Sequence, residues 1–325
     1  MTSNPVLAEV WRGSFLECVH HGAVAITRPD GSLLFAAGDT REPMLPRSSV
    51  KPFQAIAMLR SGLDLEGAEL ALGAASHAGE PFHLEAALRI LDGAGLTVDD
   101  LQNTPGLPTD DQARNTWLAS GHGEERLAHN CSGKHAAMVR TCVRSGWPLD
   151  GYLSPGHPLQ RAAREVIAEF SGEEIPEPLV DGCGAPAFAV SVEGLARAFG
   201  SLASAASGEA RLLADAFRTH PEYASGTRRD EVVLHREVTG LVCKAGAEGS
   251  FGIGLPDGTG IAVKISDGHH RGTVPVVVAA LRALGLSTPA LEALDPEPVL
   301  GHGAVVGRVV ASGELLEGLR QAQIH

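Results

Sequence analysis

Apolar residues recur along this chain with two different periods, and the switch between them marks its organisation. Residues 15–37 hold two β-rich runs around Arg28-Pro29-Asp30-Gly31, with Pro and Gly where a tight turn needs them. From residue 49 the spacing becomes helical: 49–60, 81–91, 134–144, 158–170 and 210–219 carry apolar residues three and four apart. Short Gly/Pro-rich loops, such as 103–108 and 154–157, separate them, and the Ala/Ser-rich stretch 201–209 reads as a mobile loop. Strand character returns at 250–255 and 260–265, flanking the turn Pro256-Asp257-Gly258-Thr259. A helix over 273–284 and a strand over 304–310 follow.

This order predicts an α/β (α+β) fold: an antiparallel sheet from terminal strands, about residues 8–40 and 249–312, flanked by helices from a middle of about 48–240. The expectation is one domain over residues 1–325. Strands and helices do not alternate, and no G-x-G-x-x-G or P-loop joins a strand to a helix, which argues against a doubly wound nucleotide fold.

Composition narrows the function. With 44% hydrophobic and 20% charged residues the chain is globular, not disordered. Its 26 Lys+Arg against 39 Asp+Glu give a net charge of −13, which supplies no basic footprint for nucleic acid and none for an anionic membrane. No apolar run reaches the roughly 18 residues that a membrane span needs; the stretch 274–286 is broken by Arg282 and reads as a core helix. No basic segment followed by an apolar one opens the chain, so a cytoplasmic location is expected. The five cysteines, an odd number, then read as thiols in a reducing compartment.

Four groups of residues carry candidate chemistry. Ser48 and Lys51 are three apart at a predicted helix start and share one face. A serine needs a base to become a nucleophile, and a lysine of lowered pKa can be that base. The alternative is that Ser48 or Ser49 caps the helix while Lys51 is solvated. Ser76, His77 and Glu80 follow an apolar run and line a pocket or cap the next helix. Lys264 sits inside an apolar strand, a costly place for an unpaired amine. Finally Cys131 lies with the histidines of 129–135 in one Gly-containing segment, and Asp181 and Cys183 lie in another. Two thiols, an acid and a histidine there could hold zinc or be packing groups, and no metal-spacing motif is satisfied. Cys18, Cys142 and Cys243 read as packing thiols, and His20-His21 and His269-His270 as turn or strand-end pairs.

Taken together these motifs resemble the rhizobial-type L-asparaginases, built on a serine β-lactamase/penicillin-binding-protein-like (glutaminase-like) fold. The resemblance rests on Arg47-Ser48-x-x-Lys51-Pro52, Ala75-Ser76-His77, Asn130-Cys131-Ser132-Gly133-Lys134-His135, Asp181-Gly182-Cys183 and Val263-Lys264-Ile265-x-Asp267-Gly268, in family order. It implies hydrolysis of L-asparagine to L-aspartate and ammonia, with Ser48–Lys51 and Ser76–Lys264 as the two Ser–Lys pairs. It also implies zinc beside the pocket on Cys131, Lys134 and Cys183, with Asp181 near, and a homodimer. Arg47, His77, Glu80 and His135 are the expected substrate-binding residues. The chain departs from the family at Ser49-Val50, where small residues are usual, and at Ala78-Gly79, where serines are usual. Two rival readings are a glutaminase or other serine acyl hydrolase of the same fold, and a non-catalytic zinc- or amino-acid-binding protein.

Overall fold

A computed structural model describes residues 4–322. The chain opens with β1 (Val6–Arg12), β2 (Phe15–Thr27) and β3 (Leu33–Ala37). A 3-10 turn, Arg47–Val50, runs into α1 (Lys51–Arg60), followed by α2 (Gly67–Gly73), α3 (Pro81–Asp92), α4 (Asp111–Ala119), α5 (Ser132–Ser145) and α6 (Pro158–Ser171). A short ribbon, β4 (Leu179–Val180) and β5 (Pro186–Ala187), leads to α7 (Val192–Ala203), α8 (Gly208–Thr219), α9 (Pro221–Ala224) and α10 (Asp230–Glu237). The last part holds β6 (Val242–Gly246), β7 (Ser250–Gly254), β8 (Gly260–Ile265), α11 (Thr273–Ala283), α12 (Pro289–Ala293), β9 (Glu297–Gly301), β10 (Ala304–Ala311) and α13 (Gly313–Gln321).

These elements form two compact units. One comprises Met1–Ser49, Val190–Ser204 and Val233–His325; the other comprises Val50–Ala189 and Ala205–Val232.

The first unit is built on an antiparallel sheet of order β6-β7-β8-β2-β1-β10-β9, with β3 also on β2. Strands from both ends of the chain meet at β2–β8 and β1–β10, so the expected mixed α/β class and its terminal-strand sheet are borne out. The long β2 makes this possible, since its first half pairs with β1 and its second half with β8 and β3. Alternation then assigns the faces. Phe251, Ile253, Ile261, Val263 and Ile265 join α11 in the apolar core on one side. The other side of β7 and β8 is covered by α7, and Gly252 is what lets Phe199 lie flat on it.

The second unit is helical. α1 packs on α5, α6 and α8, with Phe53 and Phe170 rings 5.4 Å apart, and α2 packs on α3, α5, α8 and α9. Local signals set the helix ends. Pro81 occupies the first turn of α3, and Glu80 and His83 form its capping box. α5 and α6 stop at Gly146 and Gly172, both left-handed with φ of 66° and 69°.

Two local expectations change. The stretch 201–209 is no long mobile loop: α7 continues to Ala203 and α8 starts at Gly208, because Ala and Ser at these positions suit helix ends. His20 is no strand-end residue; it lies inside β2, opposite Ala8, and is buried. Among the described residues no helix is long and apolar enough to cross a membrane.

Candidate active site

Within the helical unit, Lys51 stands at the start of α1 and is 1% exposed. A lysine is almost never so buried without a partner. Its Nζ donates to the carbonyl of Ala75 at 2.7 Å and to Cys131 Sγ at 3.1 Å. Burial pushes its pKa below the usual lysine value; the sulfurs of Cys131 and Cys183 oppose that shift, while the Lys134 charge adds to it. The like charge facing Lys51 in this unit is therefore that of Lys134.

Cys131 occupies the N-cap position of α5, which delivers Lys134 one turn later. Lys134 Nζ donates to Cys183 Sγ at 3.4 Å, and Asp181 Oδ2 lies 3.9 Å from that sulfur. The two thiols are coupled through a shared hydrogen bond, which pushes Cys131 up and Cys183 down, so they titrate as a pair. Burial disfavours the Lys134 charge, yet Cys183, Cys131 and Asp181 outweigh it and its pKa is raised. Asp181 also accepts from the Gly182 N–H at 2.8 Å, which fixes the loop carrying Cys183.

Ser76 accepts a hydrogen bond from Asn130 Nδ2 at 3.2 Å, which ties it to the residue before Cys131. His77 and His135 are fully buried. His77 Nε2 meets Ser132 Oγ at 2.9 Å, and burial drives its pKa well below the usual value. His135 Nδ1 meets Tyr152 OH at 2.8 Å, and burial lowers its pKa to about 4. Both rings are thus neutral hydrogen-bonding groups near neutral pH. Glu80 is engaged structurally: besides capping α3, it accepts from Thr227 N at 2.8 Å and Thr227 Oγ1 at 2.7 Å.

In the sheet unit, Ser48 lies in the 3-10 turn, 9% exposed, and Lys264 lies on β8. Lys264 Nζ donates to the carbonyls of Glu248 and of Ile265, the latter at 3.2 Å. Burial lowers its pKa, against the pull of Glu248 and Asp267 and with the help of Arg47. Arg47 has φ of 51°, a left-handed conformation that is uncommon outside glycine. The N-cap of α1 is Val50, which has no hydroxyl, so the capping role weighed for Ser48 and Ser49 is not the one they have.

The expected ligand set thus comes together as two nearly buried thiols and an amine, with Asp181 to one side. Among the described residues no group of three or more His, Cys, Asp or Glu is placed to hold a metal. The third donor here is a lysine, so sulfur and nitrogen donors suited to zinc are present in a set of unusual type. Of the other thiols, Cys142 is pushed up to about 11 by burial and Cys243 belongs to the sheet core, as packing thiols do. Cys18 and Cys243 also have polar partners, since Arg271 donates to the Cys18 sulfur at 3.1 Å and His235 Nδ1 lies 3.5 Å from that of Cys243.

Sequence reasoning passed over Lys244 and Tyr152. Lys244 is 1% exposed in the apolar strand β6, the same oddity that drew attention to Lys264, so the signal was there. Tyr152 gave none, because its partners Gln102 and His135 are distant in sequence.

A family model described as L-asparaginase II matches residues 8–311. No curated protein matches the chain. Among solved structures the chain is similar to Mglu in its native form, at 15% identity over 82% of this chain and 60% of that one, with a TM-score of 0.46. The chain therefore spans about 60% of the length of Mglu. It is also similar to a probable glutaminase from Bacillus subtilis, at 14% identity, 82% and 84% coverage and a TM-score of 0.39. A β-lactamase from Mycobacterium bovis aligns at 16% identity, 80% and 94% coverage and a TM-score of 0.43.

Proposed function

The chain belongs to the L-asparaginase II family, whose members are amidohydrolases, and on that footing we propose that it hydrolyses L-asparagine to L-aspartate and ammonia with Ser48 as nucleophile. The observation that supports this reading most is Lys51: a fully buried amine three residues after a serine has no role as a solvated surface charge.

In the proposed reaction Ser48 Oγ attacks the side-chain amide carbon while Lys51 accepts the hydroxyl proton. Collapse of the tetrahedral intermediate breaks the C–N bond, and the proton returns to the departing nitrogen to give ammonia. The β-aspartyl ester on Ser48 is then cleaved by water, which restores the serine. Ser76 and Lys264 form the second Ser–Lys pair and relay protons. Backbone N–H groups of the turn around Ser48 are the oxyanion donors. The Ser49 N–H is not among them, because it already donates to Pro46 O at 3.1 Å. Zinc, held by Cys131, Cys183 and Lys134, would supply a fixed positive charge that orients the substrate; the lysine must lose its proton to bind it. A homodimer is part of the same proposal and is read by light scattering. Ammonia release from L-asparagine against L-glutamine tests the substrate. Faster release from L-glutamine moves the reading to a glutaminase.

A further inference from the structure

We propose that Ser49, Ser250 and Gly246 form a seat that positions Ser48 for attack, an inference that rests on the nucleophile proposed above. Ser49 is fully buried, and its Oγ donates to Lys244 O at 3.0 Å and lies 3.3 Å from Ser250 Oγ. Ser250 is directly opposite Lys264 on one side and Gly246 on the other. Gly246, Ser250 and Lys264 therefore make a row across β6, β7 and β8 on one face of the sheet. The segment carrying Ser48 lies flush on this row. A Cβ at Gly246 would run into the carbonyl oxygen of Pro46 and stand 2.8 Å from Ser49 Oγ and 3.0 Å from Ser49 N. That approach exists only because residue 246 has no side chain.

The seat has two consequences. It holds a turn that is not relaxed on its own, since Arg47 is left-handed with φ of 51°. It also spends the Ser49 hydroxyl on the sheet, so that of two adjacent serines one is anchored and its neighbour is fixed in direction. Both ends of the row serve the same reading: the turn with Ser48 sits at Gly246 and Ser250, and Lys264 stands next to Ser250. Ser49 is accordingly a positioning residue. A misplacement of about 1 Å in the attacking oxygen costs on the order of a hundredfold in rate.

The test is steady-state kinetics on the full chain with L-asparagine, with Ser48→Ala measured in parallel and thermal unfolding recorded for every variant. Ser49→Ala is expected to lower kcat about tenfold to a hundredfold with KM within about twofold, as expected for misorientation of an otherwise intact nucleophile. Ser49→Cys, which keeps a donor of similar shape, is expected to recover most of that loss. Ser250→Ala, which removes the longer contact, and Gly246→Ala, which lifts the turn, are expected to lower kcat in the same way; they carry the test should Ser49→Ala fail to fold. Wild-type kcat in Ser49→Ala beside an inactive Ser48→Ala overturns the seat and leaves the nucleophile standing. An active Ser48→Ala overturns the nucleophile itself. A loss in Ser49→Ala that tracks a falling Tm and is not restored by Ser49→Cys also overturns the positioning role.

Discussion

Lys51 Nζ donates to Cys131 Sγ at 3.1 Å, so the proposed base and a proposed metal ligand belong to one buried cluster. The sulfur opposes the burial that lowers the lysine pKa, and Lys134 reinforces it. Chemistry at Lys51 and the charge state of the thiols are therefore coupled.

Lys51→Met keeps the length of the side chain and removes the amine. If Lys51 is the base, kcat for L-asparagine falls about a hundredfold to ten-thousandfold, the range for losing a positioned general base. A loss under tenfold, measured by ammonia release, points to another base.

Metal content separates ligands from packing thiols. Purified protein is expected to carry zinc, and Cys131→Ser and Cys183→Ser are expected to lose it by elemental analysis. Cys142→Ser, on a buried thiol of α5, is expected to keep it. Zinc retained in both ligand variants removes the proposed site.

How much of this was legible beforehand divides along physical lines. Helices with strong local signals read directly: Pro81 and the Glu80 box open α3, and Pro158 opens α6. Strand β6 lay outside the expected sheet because Lys244 interrupts its apolar run; only tertiary burial rescues that lysine. At the site, spacing brought attention to Ser48 and Lys51, the Gly-containing loops to Cys131 and Cys183, and the family resemblance to Lys134. Spacing gave no access to pairings across the chain, such as Lys51 with Cys131 over 80 positions or Ser49 with Ser250 over 201. It likewise gave no sign of the Glu80 partners, Thr227 and the α3 helix cap.

Asp64 gives a pH dependence of stability away from the site. Arg140 Nε and Arg144 Nε donate to its two oxygens at 2.6 and 2.8 Å, and this holds its pKa down at about 2. A depressed folded-state pKa means stability that is present above the unfolded value, near 4, and is lost as pH falls toward about 2. Asp64 is 44% exposed, so solvent screening limits the effect to roughly 1 kcal/mol. Asp64→Asn is expected to be less stable than wild type at pH 7, with the gap closing between about pH 4 and pH 2 in urea titrations. A gap independent of pH contradicts the ion-pair account.

Tyr152→Phe removes the hydroxyl that meets His135 Nδ1 at 2.8 Å and accepts from Gln102 N at 3.0 Å. The buried His135 nitrogen and the part-buried Gln102 N–H lose a partner, and the expected cost is about 1–3 kcal/mol of unfolding free energy, mostly from His135. Unchanged denaturant stability shows that the hydroxyl contributes nothing there.

The central claim is that Ser48 is the nucleophile of an L-asparagine amidohydrolase, and single-turnover ammonia release by Ser48→Ala tests it most directly. The account predicts a folded variant with wild-type Tm and activity at least a thousandfold down, in keeping with removal of a covalent nucleophile. Ammonia release at the wild-type rate by that variant contradicts it.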